Sequence, residues 1–429
     1  MKTLFHPHKG EWESLCRRPL LDRSGLDEIV GSILKRVRDE GDKALVELTV
    51  KFDGIVTENL RVPASALTAS AEKIPETLKK SIGIAIENID KFHRAQLTDE
   101  LPVETTKGVR CWRKCIPFET AGIYVPGGSA PLFSTVLMLA IPARIAGCRR
   151  IILCTPPDKD GSVNPLVLYA AYSAGVTDIF TVGGAQAIAA MAYGTESIPK
   201  ADKIFGPGNQ YVTRAKEMVQ LDGIPIDIPA GPSEVLVIAD SHADPSFVAS
   251  DLLSQAEHGT DSQVILLTDS SDIIESVKDE VNRQIILLPR YKIASKSLEN
   301  SSLILLDSLD ECIELSNLYA PEHLIISTSY PMVLAEKVTN AGSVFLGKYS
   351  CESAGDYASG TNHTLPTYGY ARNFSGVSTE SFIKRITFQE VSPEGLRNLG
   401  PVIEQMAEAE LLQGHKNAVA IRLKSMNND

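Results

Sequence analysis

Short apolar runs alternate with helix-like stretches over most of this chain, and this alternation is the strongest constraint on its fold. In a first series, each of four runs precedes a helical pattern: 122–125 before 131–147, 150–154 before 165–174, 178–182 before 185–194, and 203–205 before 209–220. Apolar runs without polar alternation, joined by helices, are typical of parallel sheets that are covered on both faces. This part of the chain is therefore predicted to form an α/β unit.

A second series of apolar runs begins after the turn-rich segment 229–233. Its members are 234–239, 263–268, 303–306, 323–327 and 343–347. We therefore predict two doubly wound, Rossmann-like α/β units. Helical periodicity also covers 24–96 and 402–423, and the segment 109–118 predicts a short hairpin with its tip near Arg113.

Composition limits the location and the partners of the chain. The formal net charge of −12 argues against nucleic acid or an anionic membrane as the main partner. Seven cysteines without a C-x-x-C pair suit a reducing compartment. The N-terminal residues lack the apolar core of a signal peptide, and the most apolar run, 131–143, is too short to span a bilayer. We expect a cytoplasmic protein.

Three glycine-rich turns follow strands of the first series and open helices, at 124–131, 182–187 and 205–209. Backbone N–H groups and the helix dipole at such a junction can receive phosphate. None of the turns matches G-x-G-x-x-G, and no acidic residue stands at the usual offset for a ribose contact. Glycines at a single strand–helix turn are often explained by turn chemistry alone, but three such turns in one unit favour a nucleotide site.

The segment 251–259 combines an amide and an imidazole. Asp244 and Pro245 predict the start of a helix and Gly259 its end, which places Gln255 and His258 in the last turn on one face. Such a pair can hold a metal or a polar substrate. The alternative is a capped surface helix with two solvated side chains.

Glu322 and His323 stand side by side between a predicted helix and an apolar strand. A carboxylate beside an imidazole can exchange protons near neutral pH. The alternative is an exposed glutamate and a half-buried histidine at a strand entrance. The position is unusual, because sites of parallel sheets usually lie beyond the carboxyl ends of strands.

Two further segments place a histidine close to a carboxylate. The polar stretch 351–367 contains Asp356 and His363, and the terminal helical region contains Glu410 and His415. Imidazole, carboxylate and amide oxygen together suit zinc, manganese or cobalt, and the lack of thiolates indicates an open site.

Reactive cysteine chemistry is not expected. Cys148 and Cys154 end an apolar helix and an apolar strand, which predicts buried packing residues. Cys351 lies in the polar stretch and is the most plausible reactive thiol, but no histidine stands next to any of the three.

Taken together, these segments resemble the histidinol dehydrogenase family. The matching blocks run in one order from about residue 110 to 420: YVPGGSAPLFSTVLM, VGGAQAIAA, IFGPGNQYVT, PAGPSEVLVIAD, DLLSQAEHG, PEHLII, ESAGDYASGTNHTLPT and AEAELLQGHKNAV. The resemblance implies oxidation of L-histidinol to L-histidine through histidinaldehyde, with two NAD⁺, as the last step of histidine biosynthesis.

The resemblance also implies roles for individual residues. Glu322 and His323 would be the proton-transfer pair. One zinc ion per subunit would be held by Gln255, His258, Asp356 and His415. These four, with His323, would contact the substrate together with Ser233, His363 and Glu410. NAD would be contacted by Tyr124, Gln186 and Asn209.

For the architecture, the resemblance implies an aldehyde-dehydrogenase-like arrangement in an intertwined homodimer, whose C-terminal region completes the partner's site. The expected division is an N-terminal extension at 1–23, a first α/β domain from 24–121 and 235–369, an inserted NAD-facing domain at 122–234, and a C-terminal segment at 370–429. This would let Glu410 and His415 reach the other site residues.

The mechanistic hypothesis assigns His323 the removal of the hydroxyl proton and Glu322 the activation of water for the aldehyde. Zinc would mainly position the substrate. Three other functions stay open from the residues alone: a zinc hydrolase with Glu322 as base, an aldehyde dehydrogenase that uses Cys148, Cys154 or Cys351, and a regulatory protein that binds metal and nucleotide without turnover. The hydrolase leaves the three glycine turns unexplained.

Overall fold

The structure is a computed structural model that describes residues 1–18, 25–57, 59–98, 100–127, 131–228 and 231–426. The strands are β1 (Lys2–Phe5), β2 (Val103–Thr106), β3 (Val109–Pro117), β4 (Thr120–Tyr124), β5 (Arg150–Thr155), β6 (Asp178–Thr181), β7 (Lys203–Phe205), β8 (Glu234–Ala239), β9 (Gln263–Thr268), β10 (Ser302–Leu305), β11 (His323–Ser327), β12 (Ser343–Leu346) and β13 (Ile383–Val391).

The helices are α1 (Trp12–Leu15), α2 (Leu26–Glu40), α3 (Asp42–Asp53), α4 (Ala64–Glu72), α5 (Glu76–Arg94), α6 (Phe133–Ala146), α7 (Pro165–Ala174), α8 (Gly184–Tyr193), α9 (Gln210–Leu221), α10 (Pro245–Ala256), α11 (Ser271–Ile285), α12 (Tyr291–Ser297), α13 (Leu309–Tyr319), α14 (Pro331–Ala335), α15 (Glu352–Tyr357), α16 (Pro393–Ala409) and α17 (Gln413–Ser425). The described residues include no helix with the length and apolar character needed to span a membrane.

The first series of apolar runs forms a four-stranded parallel sheet in the order β6-β5-β4-β7. Successive residues of β4 and β5 enter two different cores, so both faces of the sheet are covered. Helices α2 and α3 share one of these cores, and α5 shares the other. The division into domains stays a prediction.

The second series forms a six-stranded parallel sheet in the order β1-β10-β9-β8-β11-β12. Val235 and Val237 of β8 enter one core, and Leu236 and Ile238 enter the other. The fold class is confirmed, because each series makes a parallel sheet between helices. The edge strand β1 was not predicted.

A third sheet is antiparallel, in the order β13-β3-β2. The predicted hairpin over 109–118 is wrong, because these residues form the single strand β3, which pairs along its length with β13. The turn lies instead at Gly108, whose φ of +83° favours glycine. The single terminal helix over 402–423 is also wrong, because the chain turns at Leu411 between α16 and α17.

Candidate active site

Helix α10 brings Gln255 and His258 to the site. Asp244 caps the helix by accepting from the backbone N–H of Ser246, as predicted, but the helix ends at Ala256 and not at Gly259. Gln255 is therefore fully buried in the last turn, whereas His258 lies in the turn beyond the helix and is exposed. The sequence placed both side chains on one face of the last helical turn, but in the structure only Gln255 is buried and in the helix.

Helix α15 supplies two carboxylates, Glu352 and Asp356, which are 1% and 9% exposed. Ligand atoms of these two side chains and of His258 all lie within 4.8 Å of one another. The sequence predicted an irregular polar stretch here and missed Glu352. The i, i+4 spacing of two acids beside the predicted ligands is the signal that would have found it.

Gln255 contacts this cluster through Glu352. In the amide orientation that satisfies its hydrogen bonds, the Gln255 nitrogen donates to Glu352 and its oxygen lies 3.2 Å from the backbone nitrogen of Glu234. Burial and the neighbouring carboxylates raise the pKa of Glu352 to about 8, against the opposing effect of His323. The close approach of two buried carboxylates and an imidazole favours a bound cation.

Glu322 and His323 are both buried, 6% and 4% exposed, where β11 begins. Nδ1 of His323 lies 3.6 Å from Oε2 of Glu322, and its Nε2 lies 3.6 Å from Oδ1 of Asp356. Burial alone would lower the pKa of His323, but the surrounding carboxylates outweigh it and raise this pKa well above its usual value. The pair thus lies beside the acidic cluster.

His363 lies against the same cluster with both ring nitrogens engaged. Its Nδ1 is 2.9 Å from the backbone oxygen of Asp356, and its Nε2 is 3.2 Å from Oγ1 of Thr135 on α6. Burial lowers the pKa of His363, so the neutral ring is favoured. His363 therefore ties the short helix α15 to the four-stranded unit.

The three residues predicted to contact NAD line one cavity of about 760 Å³: Tyr124, Gln186 and Asn209. The Tyr124 hydroxyl accepts from the backbone N–H of Gly184 at the start of α8, and Asn209 caps α9. This cavity lies beyond the carboxyl ends of β4 and β7, where the strand order of the sheet reverses. Nucleotides bind at such switch points in open α/β sheets.

A second cavity of about 700 Å³ contains Ser233 and His258. Pro126 and Asn209 line both cavities. A nucleotide in the first cavity would therefore lie next to a substrate in the second.

Glu410 and His415 lie elsewhere in the chain. Both are exposed, near the turn between α16 and α17, and α16 packs on α17, β2 and β13. The structure brings together Gln255, His258, Glu322, His323, Asp356 and His363, but it does not bring these two C-terminal residues to them within the one chain described.

The cysteines are as predicted for packing residues. Cys148 and Cys154 are buried, and burial raises the pKa of the Cys148 thiol to about 12. Cys351 is exposed and precedes α15.

The fold and the site define the class of protein: an α/β protein with a cavity at the switch point of a parallel sheet and a candidate metal site. The family model of histidinol dehydrogenase matches residues 16–423. Histidinol dehydrogenase from Bacteroides thetaiotaomicron is 56% identical over 99% of this chain and 100% of its own length, and that from Shigella dysenteriae is 54% identical over 96% and 95%.

A solved structure shows the same similarity to histidinol dehydrogenase. The crystal structure of histidinol dehydrogenase from Elizabethkingia anophelis has a TM-score of 0.98 and 56% identity, with 100% of this chain and 99% of that chain covered. The chain belongs to the histidinol dehydrogenase family, whose members are NAD-dependent oxidoreductases.

Proposed function

We propose that the chain oxidises L-histidinol to L-histidine through histidinaldehyde, in a cleft where the two cavities meet. The observation that carries this proposal is the shared wall of Pro126 and Asn209. Because the two cavities share these residues, a nucleotide in the first cavity would lie close to a substrate beside His258 in the second. The test is NADH formation from L-histidinol, with two NADH for each histidine formed, and absence of NADH would reject it.

The metal is proposed to be zinc, held by Gln255, His258 and Asp356 with His415 of the partner subunit. The donor set fits, because imidazole nitrogen and carboxylate oxygen are ligands that zinc takes in open sites. The acidic cluster supports a cation here independently of the resemblance. Glu352 would hold the Gln255 amide in place.

In the reaction, the neutral form of His323 would accept the proton of the substrate hydroxyl. A cation bound to the neighbouring carboxylates would oppose the rise in the pKa of His323 and so favour this neutral form. Glu322 would then take a proton from water that adds to the aldehyde, and His323 would act again in the second oxidation. Ser233 and His258 would face the substrate, with Glu410 of the partner subunit closing the site. When bound, the metal fixes the polar groups of the substrate and NAD accepts the hydride.

Glu322→Gln should separate the two oxidations. The amide cannot take a proton from water, so oxidation of histidinaldehyde should slow by ~10²-fold or more, and oxidation of the alcohol by clearly less. Stopped-flow assays started from histidinol and from histidinaldehyde measure the two steps in one variant. Equal losses in both steps would contradict the division of labour.

Mixed dimers test the contribution of the partner subunit. His258→Ala and His415→Ala should each be inactive alone. In their 1:1 mixture, the heterodimer regains one intact site if each site combines His258 of one subunit with His415 of the other, so roughly a quarter of the wild-type activity should return. Without recovery in confirmed heterodimers, both histidines would serve the same chain's site.

The chain is further proposed to be a cytoplasmic homodimer.

A further inference from the structure

The buried carboxylate of Glu234 lies directly behind the proposed proton-transfer pair. Glu234 is 1% exposed, and Arg18 donates to both of its carboxylate oxygens. The distance is 2.9 Å from Nε to Oε1 and 3.1 Å from a terminal nitrogen to Oε2. The backbone N–H of Tyr368 donates to the same carboxylate at 2.9 Å. Arg18 comes from the N-terminal segment, more than 200 residues away in sequence.

The backbone of Glu234 contacts both members of the pair. Its N–H donates to Oε2 of Glu322 at 2.8 Å, and its carbonyl oxygen lies 3.2 Å from Nδ1 of His323. A carbonyl can only accept, so this contact places the proton of the neutral ring on Nδ1. Nε2, on the side of Asp356, is then left with the lone pair that a base needs.

Arg18 also holds the chain that leads into the pair. A terminal nitrogen donates to the backbone oxygen of Tyr319 at 2.6 Å, and the guanidinium carbon lies 3.7 Å from the centre of the Tyr319 ring. The next residue, Ala320, has a φ of +54°, which is uncommon for alanine. Arg18 therefore contacts both the neighbouring strand β8, through Glu234, and the segment that directly precedes Glu322.

A buried ion pair is weak evidence for stability, because desolvation of the two charges offsets most of their attraction. We propose that Arg18 and Glu234 are positioning residues that hold Glu322 and His323 in their reactive orientation and hold His323 as the Nδ1–H tautomer. This inference rests on the proposed roles of Glu322 and His323. Neither Arg18 nor Glu234 touches the substrate in this scheme.

Three variants test the positioning role of Arg18 and Glu234 in the zinc-loaded enzyme. Arg18→Met should lower kcat by ~10- to 100-fold, as loss of supporting contacts typically does, with little change in the KM for histidinol. Glu234→Gln should lower kcat less, because the amide oxygen still accepts from Tyr368 and Arg18. Arg18→Lys keeps the positive charge, but a lysine cannot make all the contacts of Arg18 at once. Compared with Arg18→Met, it should recover the full stability of the wild type but only part of its kcat.

The buried pair Lys216–Asp227 gives a matched control, with exposures of 5% and 1%. Lys216 donates to the backbone oxygen of Gly206, in the turn that leads to Asn209. Lys216→Met should therefore lower the melting temperature about as much as Arg18→Met, but it should raise the KM for NAD⁺ rather than lower kcat.

A second readout does not depend on turnover. In the zinc-loaded enzyme, the ¹⁵N shifts of the His323 ring should report the Nδ1–H tautomer in the wild type and a mixture of tautomers in Arg18→Met. Wild-type kcat and an unchanged tautomer in folded Arg18→Met or Arg18→Lys would overturn the positioning role. If instead His323→Ala keeps its activity, the proposed catalytic function fails, and the tautomer measurement still decides whether Arg18 orients the ring.

Discussion

Replacement of His323 by alanine is expected to lower kcat by ~10²–10⁴-fold, the usual effect of removing a general base. The loss should be this large because His323 lies between Glu322 and Asp356, whereas both ring nitrogens of the neighbouring His363 already contact other groups. Both oxidations should suffer, because the same ring serves each. Steady-state NADH formation measures the loss.

A second buried histidine provides the control. His93 on α5 is 0% exposed, contacts Gln96 and does not belong to the acidic cluster. His93→Gln should lower the melting temperature and leave kcat near the wild-type value. Near-normal turnover in His323→Ala would exclude the role of His323 as base.

Replacement of Asp356 by asparagine is expected to remove most of the bound zinc and with it the activity. The change deletes one negative charge from the cluster with His258 and Glu352, and an amide is a weaker ligand than a carboxylate. Even loss of a group behind the ligands costs 10- to 100-fold in metal affinity, so loss of a ligand should cost at least ~10²-fold. Zinc content after dialysis measures this without reference to turnover.

Asp240 allows a matched comparison, because it has the same exposure of 9% as Asp356. Its carboxylate accepts from the backbone nitrogens of His242 and Ser329 and does not belong to the cluster. Asp240→Asn should retain zinc. A zinc content in Asp356→Asn equal to that of the wild type would remove Asp356 from the proposed ligand set.

Local sequence pattern predicted the central strands well. β7, β8, β9 and β11 begin and end where the apolar runs do, and α7 has its predicted bounds. The strands are buried on both faces, so each forms an unbroken apolar run whose ends coincide with the ends of the strand. The pattern was weaker for β1, whose four residues are half-exposed at a sheet edge.

Other features depend on contacts between distant residues. β3 pairs with β13 across more than 260 residues, and no local pattern reports such a partner. Glu352 is buried because α10 and β11 enclose α15, which its own segment does not reveal. In the candidate site, the residues taken from the resemblance lie together only in part, because Glu410 and His415 lie elsewhere in the one chain described.

The shared wall between the two cavities has a consequence for the order of events. The reaction consumes two nucleotides in succession on one substrate, and a free aldehyde would react with amines elsewhere in the cell. In the proposed arrangement, the nucleotide has a cavity of its own, separated from the other by Pro126 and Asn209. A spent cofactor could then be exchanged while the half-oxidised substrate stays in place, so this arrangement would favour retention of the aldehyde through both turnovers.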